Sequence, residues 1–197
     1  LGDICQGIYY VDGLAQTRLA DQIVIAAANG LPWWLWDNVQ AITIVSGTGV
    51  HEAGEGSAGE LVASAWRARF VDHALIDADG VLIDVAHHGP ATGIRYWTSG
   101  NPARLYLRDR LMRDDPPARL YLRAHRHEYV RETVYLPSTA DLVVTPAYQL
   151  IMPHSRQMLQ SPSAVSCGMV AIEIIDRRLA NVLPLLHEMD LRQRVTL

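Results

Sequence analysis

The sequence predicts a mixed α/β fold whose second half is rich in strand. Two features of the hydrophobic pattern lead there, and a third marks the boundaries. Up to about residue 70, apolar residues recur at helical spacing around one short buried run; from residue 73 the period changes to two; and Gly, Pro and Asp-Gly punctuate the segments. With 197 residues the chain suits one domain, since a single core usually takes about 100 to 200 residues.

Residues 14–29, LAQTRLADQIVIAAAN, carry apolar residues at roughly helical spacing and stop at Gly30, a usual C-terminal signal. Pro32 suits the first position of a second short helix, which would bury some of Trp33, Trp34 and Trp36 as large apolar rings. AITIVSGTG at 41–49 reads as a buried strand entering a glycine turn. Helical spacing resumes in SAGELVASAWRARF at 57–70, where Ser57 is a candidate N-cap and Glu60, three residues on, completes a capping box.

HALIDADGVLIDVAHHG at 73–89 reads as two strands folded about Asp79-Gly80, a dipeptide that tolerates the positive φ of tight hairpins. The second of these strands delivers His87 and His88 at its end. ARLYLRAH, YVRETVYL, DLVVTPAY, CGMVAIEII and LANVLPLLHE also read as strands. The peptide PARLYLR occurs twice, at 102–108 and 117–123. The first copy runs without a turn signal into DRLMRDD and predicts helix; the second lies between Pro117 and a histidine pair and predicts strand. Two copies make no repeat architecture, which needs about three units.

Composition narrows the function classes. The net charge of -4 provides no global basic field for tracking nucleic-acid phosphates, although local readout stays open. Every one of the 17 basic residues is arginine. Two cysteines, Cys5 and Cys167, make no disulfide framework, and no signal-peptide pattern opens the chain, so a cytoplasmic setting is expected. No run reaches the ~18 apolar residues of a membrane span, because Gly30 and Pro32 interrupt the nearest. No G-x-S-x-G elbow supports a serine hydrolase.

The chemistry collects at strand ends. RAHRHEYV (123–130) sets His125 and His127 two residues apart; in an extended segment such residues point to one side and can converge on one ion or two. Three other apolar stretches break into loops holding a ligand type: LGDICQG with Asp3, IVSGTGVHE with His51, and LIDVAHHG with His87 and His88. Each alone reads as a turn carboxylate or a loop histidine. Together they follow the habit of α/β folds, in which the sheet fixes geometry and the loop exposes it.

In this order, Gly-Asp, Gly-x-His-Glu, His, then His-x-His, the chain resembles the calcineurin-like metallophosphoesterase family over residues 2–127. The GTGVHE form, TPAYQL at 145–150 and CGMVAIEI are similar to its phage and prophage branch. The resemblance implies a four-layer sandwich, two mixed sheets flanked by helices, as one domain over residues 1–197, with the first strand and its Asp-x-His loop missing from an N-terminally incomplete chain. It implies two divalent ions, of manganese, iron, zinc or nickel, and hydrolysis of a phosphoester by metal-activated hydroxide. Asp3 would bridge the ions, His51 would act as the catalytic histidine, His87 or its neighbour His88 would bind the second ion with His125, and His127 would bind the first.

Departures from the family pattern qualify this. Gln6 stands where a second aspartate is expected, Ala124 replaces a glycine, and Val50 occupies the place of a metal-ligating asparagine; Thr48 or Glu52 could supply an oxygen instead. The implied partner is a phosphoester substrate, a nucleotide or nucleic acid included, in the host cytoplasm if the chain is phage-encoded, with no membrane contact. Arg95, Tyr96 and Trp97 are candidates for a base-stacking rim. The alternative is a degenerate, inactive phosphoesterase retained as a structural or partner-binding phage protein. A metallo-β-lactamase pattern fails because Tyr129 and Val130 stand where aspartate and histidine are required.

Overall fold

The computed structural model describes residues 1–9, 13–52, 57–89, 100–135, 138–149, 164–190 and 192. They form a mixed α/β protein with a five-stranded mixed sheet and three helices. The chain divides into two compact units, Leu1–Ala74 with Val85–His88, and Leu75–Asp84 with Gly89–Leu197.

In the first unit, helix α1 spans Leu19–Trp34, strand β1 Thr43–Val45, helix α2 Ala58–Ala65 and strand β2 Arg69–Val71. β1 and β2 pair in parallel around α2, with Ile44 opposite Phe70. Their core is Ile44, Val62 and Ala63, packed by Ile4, Ile23, Trp66 and Phe70. Ser57 caps α2 as expected, its Oγ accepting from the Glu60 amide at 3.0 Å.

This unit departs from expectation in several places. α1 runs through Gly30 and Pro32 as one helix instead of stopping between them. Gly30 is buried, and a Cβ there would overlap the Trp66 indole, whose Nε1 donates to the Ala27 carbonyl at 2.8 Å. The glycine permits close helix packing, and Pro32 falls in the last turn, where it forgoes one i→i−4 bond but little helix remains beyond it to disrupt. Trp33 and Trp36 are exposed, edge to face at 5.0 Å, so neither is among the tryptophans the helix is expected to bury. The helical spacing read as far as Phe70 also ends early, because Phe70 joins the core from a second strand and Ala68 packs there just before it.

The second unit is built on β3 (His73–Ala78), β4 (Val81–Ala86), α3 (Gly100–Arg113), β5 (Leu120–Arg123), β6 (Val130–Val134) and β7 (Ala140–Val144), with sheet order β3-β4-β5-β7-β6. Asp79 and Gly80, at φ 50 and 81, make the expected hairpin turn. β5 and β7 are parallel, β6 and β7 antiparallel. A separate hairpin joins β8 (Ala164–Ile175) to β9 (Arg178–Asp190) about Asp176 and Arg177, both at positive φ. Among the described residues no helix is long and apolar enough to cross a membrane.

The repeated heptapeptide takes both predicted forms. In α3, Ala103, Leu107 and Leu111 are buried at helical spacing, while Leu105 is 65% exposed. In β5 the equivalent leucine, Leu120, is fully buried beside Tyr121, because a central strand covers both faces. The copies meet directly: Arg123 Nε donates to the Tyr106 hydroxyl at 2.8 Å.

Candidate metal-binding site

Three loops of the first unit converge on the Asp3 carboxylate. Asp3 sits at φ 49 after Gly2 at φ 74, a turn that aims the carboxylate back at the end of β1. Oδ1 accepts from the Thr48 amide at 2.6 Å, and Oδ2 lies 3.3 Å from the Thr48 hydroxyl. The approach requires glycine on both sides. A Cβ on Gly2 would strike the His87 ring and, at 2.7 Å, the Gly47 Cα; a Cβ on Gly47 would overlap the Asp3 carboxylate.

Two imidazoles face the same oxygen. His87 Nε2 is 3.0 Å from Asp3 Oδ2, and His51 Nε2 is 3.9 Å away. Their tautomers follow from the other side of each ring. His87 Nδ1 lies 2.6 Å from the Leu1 carbonyl and His51 Nδ1 lies 2.6 Å from the Gln6 carbonyl. A carbonyl only accepts, so each Nδ1 carries the hydrogen and each Nε2 presents its lone pair unless the ring takes a second proton. Two lone-pair nitrogens aimed at a carboxylate repel it; a cation or an added proton reconciles them. Backbone-held Nδ1–H with Nε2 inward is also how ligating histidines are oriented. The Asp3 carboxylate oxygen with the His87 nitrogen therefore fits a transition-metal ion in donor chemistry, with the His51 nitrogen facing the same oxygen from 3.9 Å.

The surroundings hold this arrangement. Glu52 Oε1 accepts from Gly47 N and Oε2 from Gly59 N, both at 2.9 Å, so its carboxylate clamps the β1 loop to the start of α2. Cys5 is buried, and that burial, followed by the nearby Glu52 charge, pushes its thiol up to about 11. His87 is 3% exposed, whereas His88 is on the surface with its ring edge to face at 4.8 Å from His87.

His125 and His127 belong to the second unit, just after β5. They do not extend the strand: φ is 68 at His125 and 58 at His127, so the same-side argument for an extended His-x-His does not apply. Burial keeps the Arg126 guanidinium below its usual range, with Glu128 acting in the opposite sense. Beneath the loop, sequence reasoning missed Arg123. It is 1% exposed, paired with Asp84 at 2.5 Å and donating to the Asp84 and Leu122 carbonyls at 3.1 and 2.8 Å. A buried arginine in a strand has no sequence signal beyond the apolar run around it. Asp141 was missed likewise, buried in β7 with Arg119 at 3.1 Å, Arg131 at 3.5 Å and Thr133 at 2.5 Å. Arg95, Tyr96 and Trp97, the candidate stacking rim, lie outside the described residues.

No protein-family model matches the chain, and no curated protein matches it. Among solved structures, wild-type Vps29 complexed with zinc, from Entamoeba histolytica, is similar over 82% of this chain and 88% of that one, at 12% identity and a TM-score of 0.43. So faint a likeness says nothing of chemistry, which rests on the side chains.

Proposed function

We propose that this chain is a metal-dependent phosphoester hydrolase of the calcineurin-like metallophosphoesterase type, its two units forming one catalytic domain. The observation that carries the reading is Asp3 Oδ2 faced by His87 Nε2 at 3.0 Å and His51 Nε2 at 3.9 Å, with both Nδ1 atoms committed to backbone carbonyls. Asp3 and His87, with His88 as a further candidate and His125 and His127 from the second unit, are the residues proposed to hold two divalent ions of manganese, iron, zinc or nickel. When bound, such ions polarise phosphoryl oxygens and lower the pKa of water.

The chain's own contribution is orientation and proton transfer. Asp3 is held against drift by the Thr48 amide. His51 keeps Nδ1–H on Gln6, so a proton taken up by the ring goes to Nε2; from there it can hydrogen-bond the substrate phosphate and pass to the leaving oxygen as the P–O bond breaks. A phosphoester of small size, a nucleotide included, suits the net charge of -4 better than a long duplex.

The test uses the protein supplemented with manganese. Hydrolysis of an aryl phosphodiester or monoester is expected, falling at least about a hundredfold in Asp3→Ala and His51→Ala. Fewer than about 0.2 equivalents of bound metal in folded protein after supplementation would refute the reading. Full metal occupancy without turnover would favour the partner-binding alternative, to which Val50, 41% exposed and without a donor atom, already inclines.

A further inference from the structure

We propose that the Thr48 hydroxyl is itself a metal ligand, taking the oxygen-donor role for which Val50 has no atom; the inference rests on the metallophosphoesterase reading above. Three donor atoms of the first unit lie at the corners of a nearly equilateral triangle. Asp3 Oδ2 is 3.0 Å from His87 Nε2, the Thr48 Oγ1 is 3.2 Å from His87 Nε2, and it is 3.3 Å from Asp3 Oδ2.

Those edges have the size of a coordination face. Donors about 2.1 Å from an octahedral ion lie about 3.0 Å apart, and donors about 2.0 Å from a tetrahedral ion lie about 3.3 Å apart. As a hydrogen bond the 3.3 Å contact to the carboxylate is long, since O–H···O pairs usually fall at about 2.5 to 3.0 Å, while the 3.2 Å contact to the imidazole nitrogen is of ordinary length. A hydroxyl nearly equidistant from a carboxylate oxygen and an imidazole nitrogen, and within reach of both, is placed to share an ion with them.

The backbone sets this position. The Thr48 amide donates to Asp3 Oδ1 at 2.6 Å, which ties the residue to the carboxylate independently of its side chain. Of the two oxygen sources in the GTGVHE stretch, Glu52 is spent on the Gly47 and Gly59 amides at 2.9 Å each. Thr48 supplies the hydroxyl oxygen that reaches Asp3 and His87. A neutral hydroxyl beside one carboxylate and one imidazole leaves a harder donor set than the histidine-rich pattern suggests, which narrows the advantage of softer ions over manganese.

The experiment compares wild-type protein with Thr48→Ser, Thr48→Val and Thr48→Cys, using Mn2+ and Co2+ alone as probes. Calorimetric titration with Mn2+ should show Thr48→Ser within about threefold of wild type and Thr48→Val at least about tenfold weaker. Thr48→Cys loaded with Co2+ should gain a near-ultraviolet thiolate-to-cobalt absorption that wild type lacks, although wild type carries Cys5 and Cys167. That band requires a ligand at position 48 and cannot arise from a lost hydrogen bond. It also stands if Thr48→Val fails to fold. Mn2+ binding by Thr48→Val equal to wild type, or Co2+ bound by Thr48→Cys with no such band, would overturn the Thr48 assignment while leaving the hydrolase reading intact. Folded wild-type protein that takes up neither metal would overturn both.

Discussion

Replacing Glu52 by glutamine removes one oxygen and leaves the shape unchanged, so its effect isolates what the carboxylate does. Oε1 and Oε2 each accept one backbone amide, from Gly47 and Gly59, at 2.9 Å. Glutamine keeps one acceptor and turns the other position into an NH2 group that meets an N–H head on. One charge-assisted bond, worth about 1.5 to 3 kcal/mol, is lost, and the surviving one becomes neutral. Gly59 lies in the first turn of α2, so the negative charge also leaves a helix N-terminus, worth a further ~0.3 to 1 kcal/mol. Because Glu52 is half-buried, solvent recovers part of this, and the net loss is about 2 kcal/mol.

For a chain of this length about 2 kcal/mol lowers Tm by about 4 to 8 °C, measured by calorimetry or circular dichroism. Glu60→Gln is the control, an exposed carboxylate at the same helix end, expected to move Tm by no more than about 2 °C. The same substitution should weaken Mn2+ binding, since Gly47 directly precedes Thr48 in the loop that carries the proposed ligands. Glu52→Gln melting within about 1 °C of wild type would show that the carboxylate clamp is not what holds the loop to α2.

Gly30→Ala should destabilise by about 2 to 3 kcal/mol in chemical denaturation, because its Cβ would meet the Trp66 ring; Gly49→Ala, whose Cβ meets nothing within 4 Å, is the comparison, and equal effects would refute the packing role of Gly30. Cys5, raised to about 11 by burial and by Glu52, should react with iodoacetamide at pH 8 at least about a hundredfold more slowly than a free thiol, and labelling as fast as free cysteine would show that the loop opens readily. Tyr121 is pushed up to about 12 by burial first, with Asp114 adding to it and the Ala118 amide opposing it. The folded state holds that proton more tightly than the unfolded chain, so stability present below pH 10 is lost as pH rises from 10 to about 12; Tyr121→Phe should flatten the alkaline fall, and an unchanged slope would place the titration elsewhere.

Local chemistry was legible wherever it decides local form. The Ser57 cap, the Asp79-Gly80 turn and the two fates of PARLYLR all follow from caps, turn residues and flanking signals, and each is found. What escaped was set by distant partners. Gly30 reads as a helix stop until Trp66 is known to need its space, and the WRARF segment reads as helix until Phe70 is seen to join Ile44 across a parallel pair. Arg123 and Asp141 are polar residues in apolar strands, and only their partners Asp84, Arg119, Arg131 and Thr133 make that burial tolerable. Thr48 was visible merely as one of two oxygen sources; the amides that occupy Glu52 distinguish them.

The backbone adds an argument that residue types could not. Seven described residues other than glycine have positive φ. Asp79, Asp176 and Arg177 turn hairpins, and Arg67 follows the end of α2, all places where chain reversal demands such a conformation. The remaining three are Asp3, His125 and His127, proposed ligands in two separate units. Left-handed backbone costs an ordinary residue roughly 1 to 2 kcal/mol and aspartate and histidine less than most, yet glycine would adopt it more freely at each position. Keeping aspartate and histidine there accepts that strain for a side chain. Positional strain of this kind gathers where geometry has to be imposed on functional groups, and it falls on proposed ligands in each unit taken by itself.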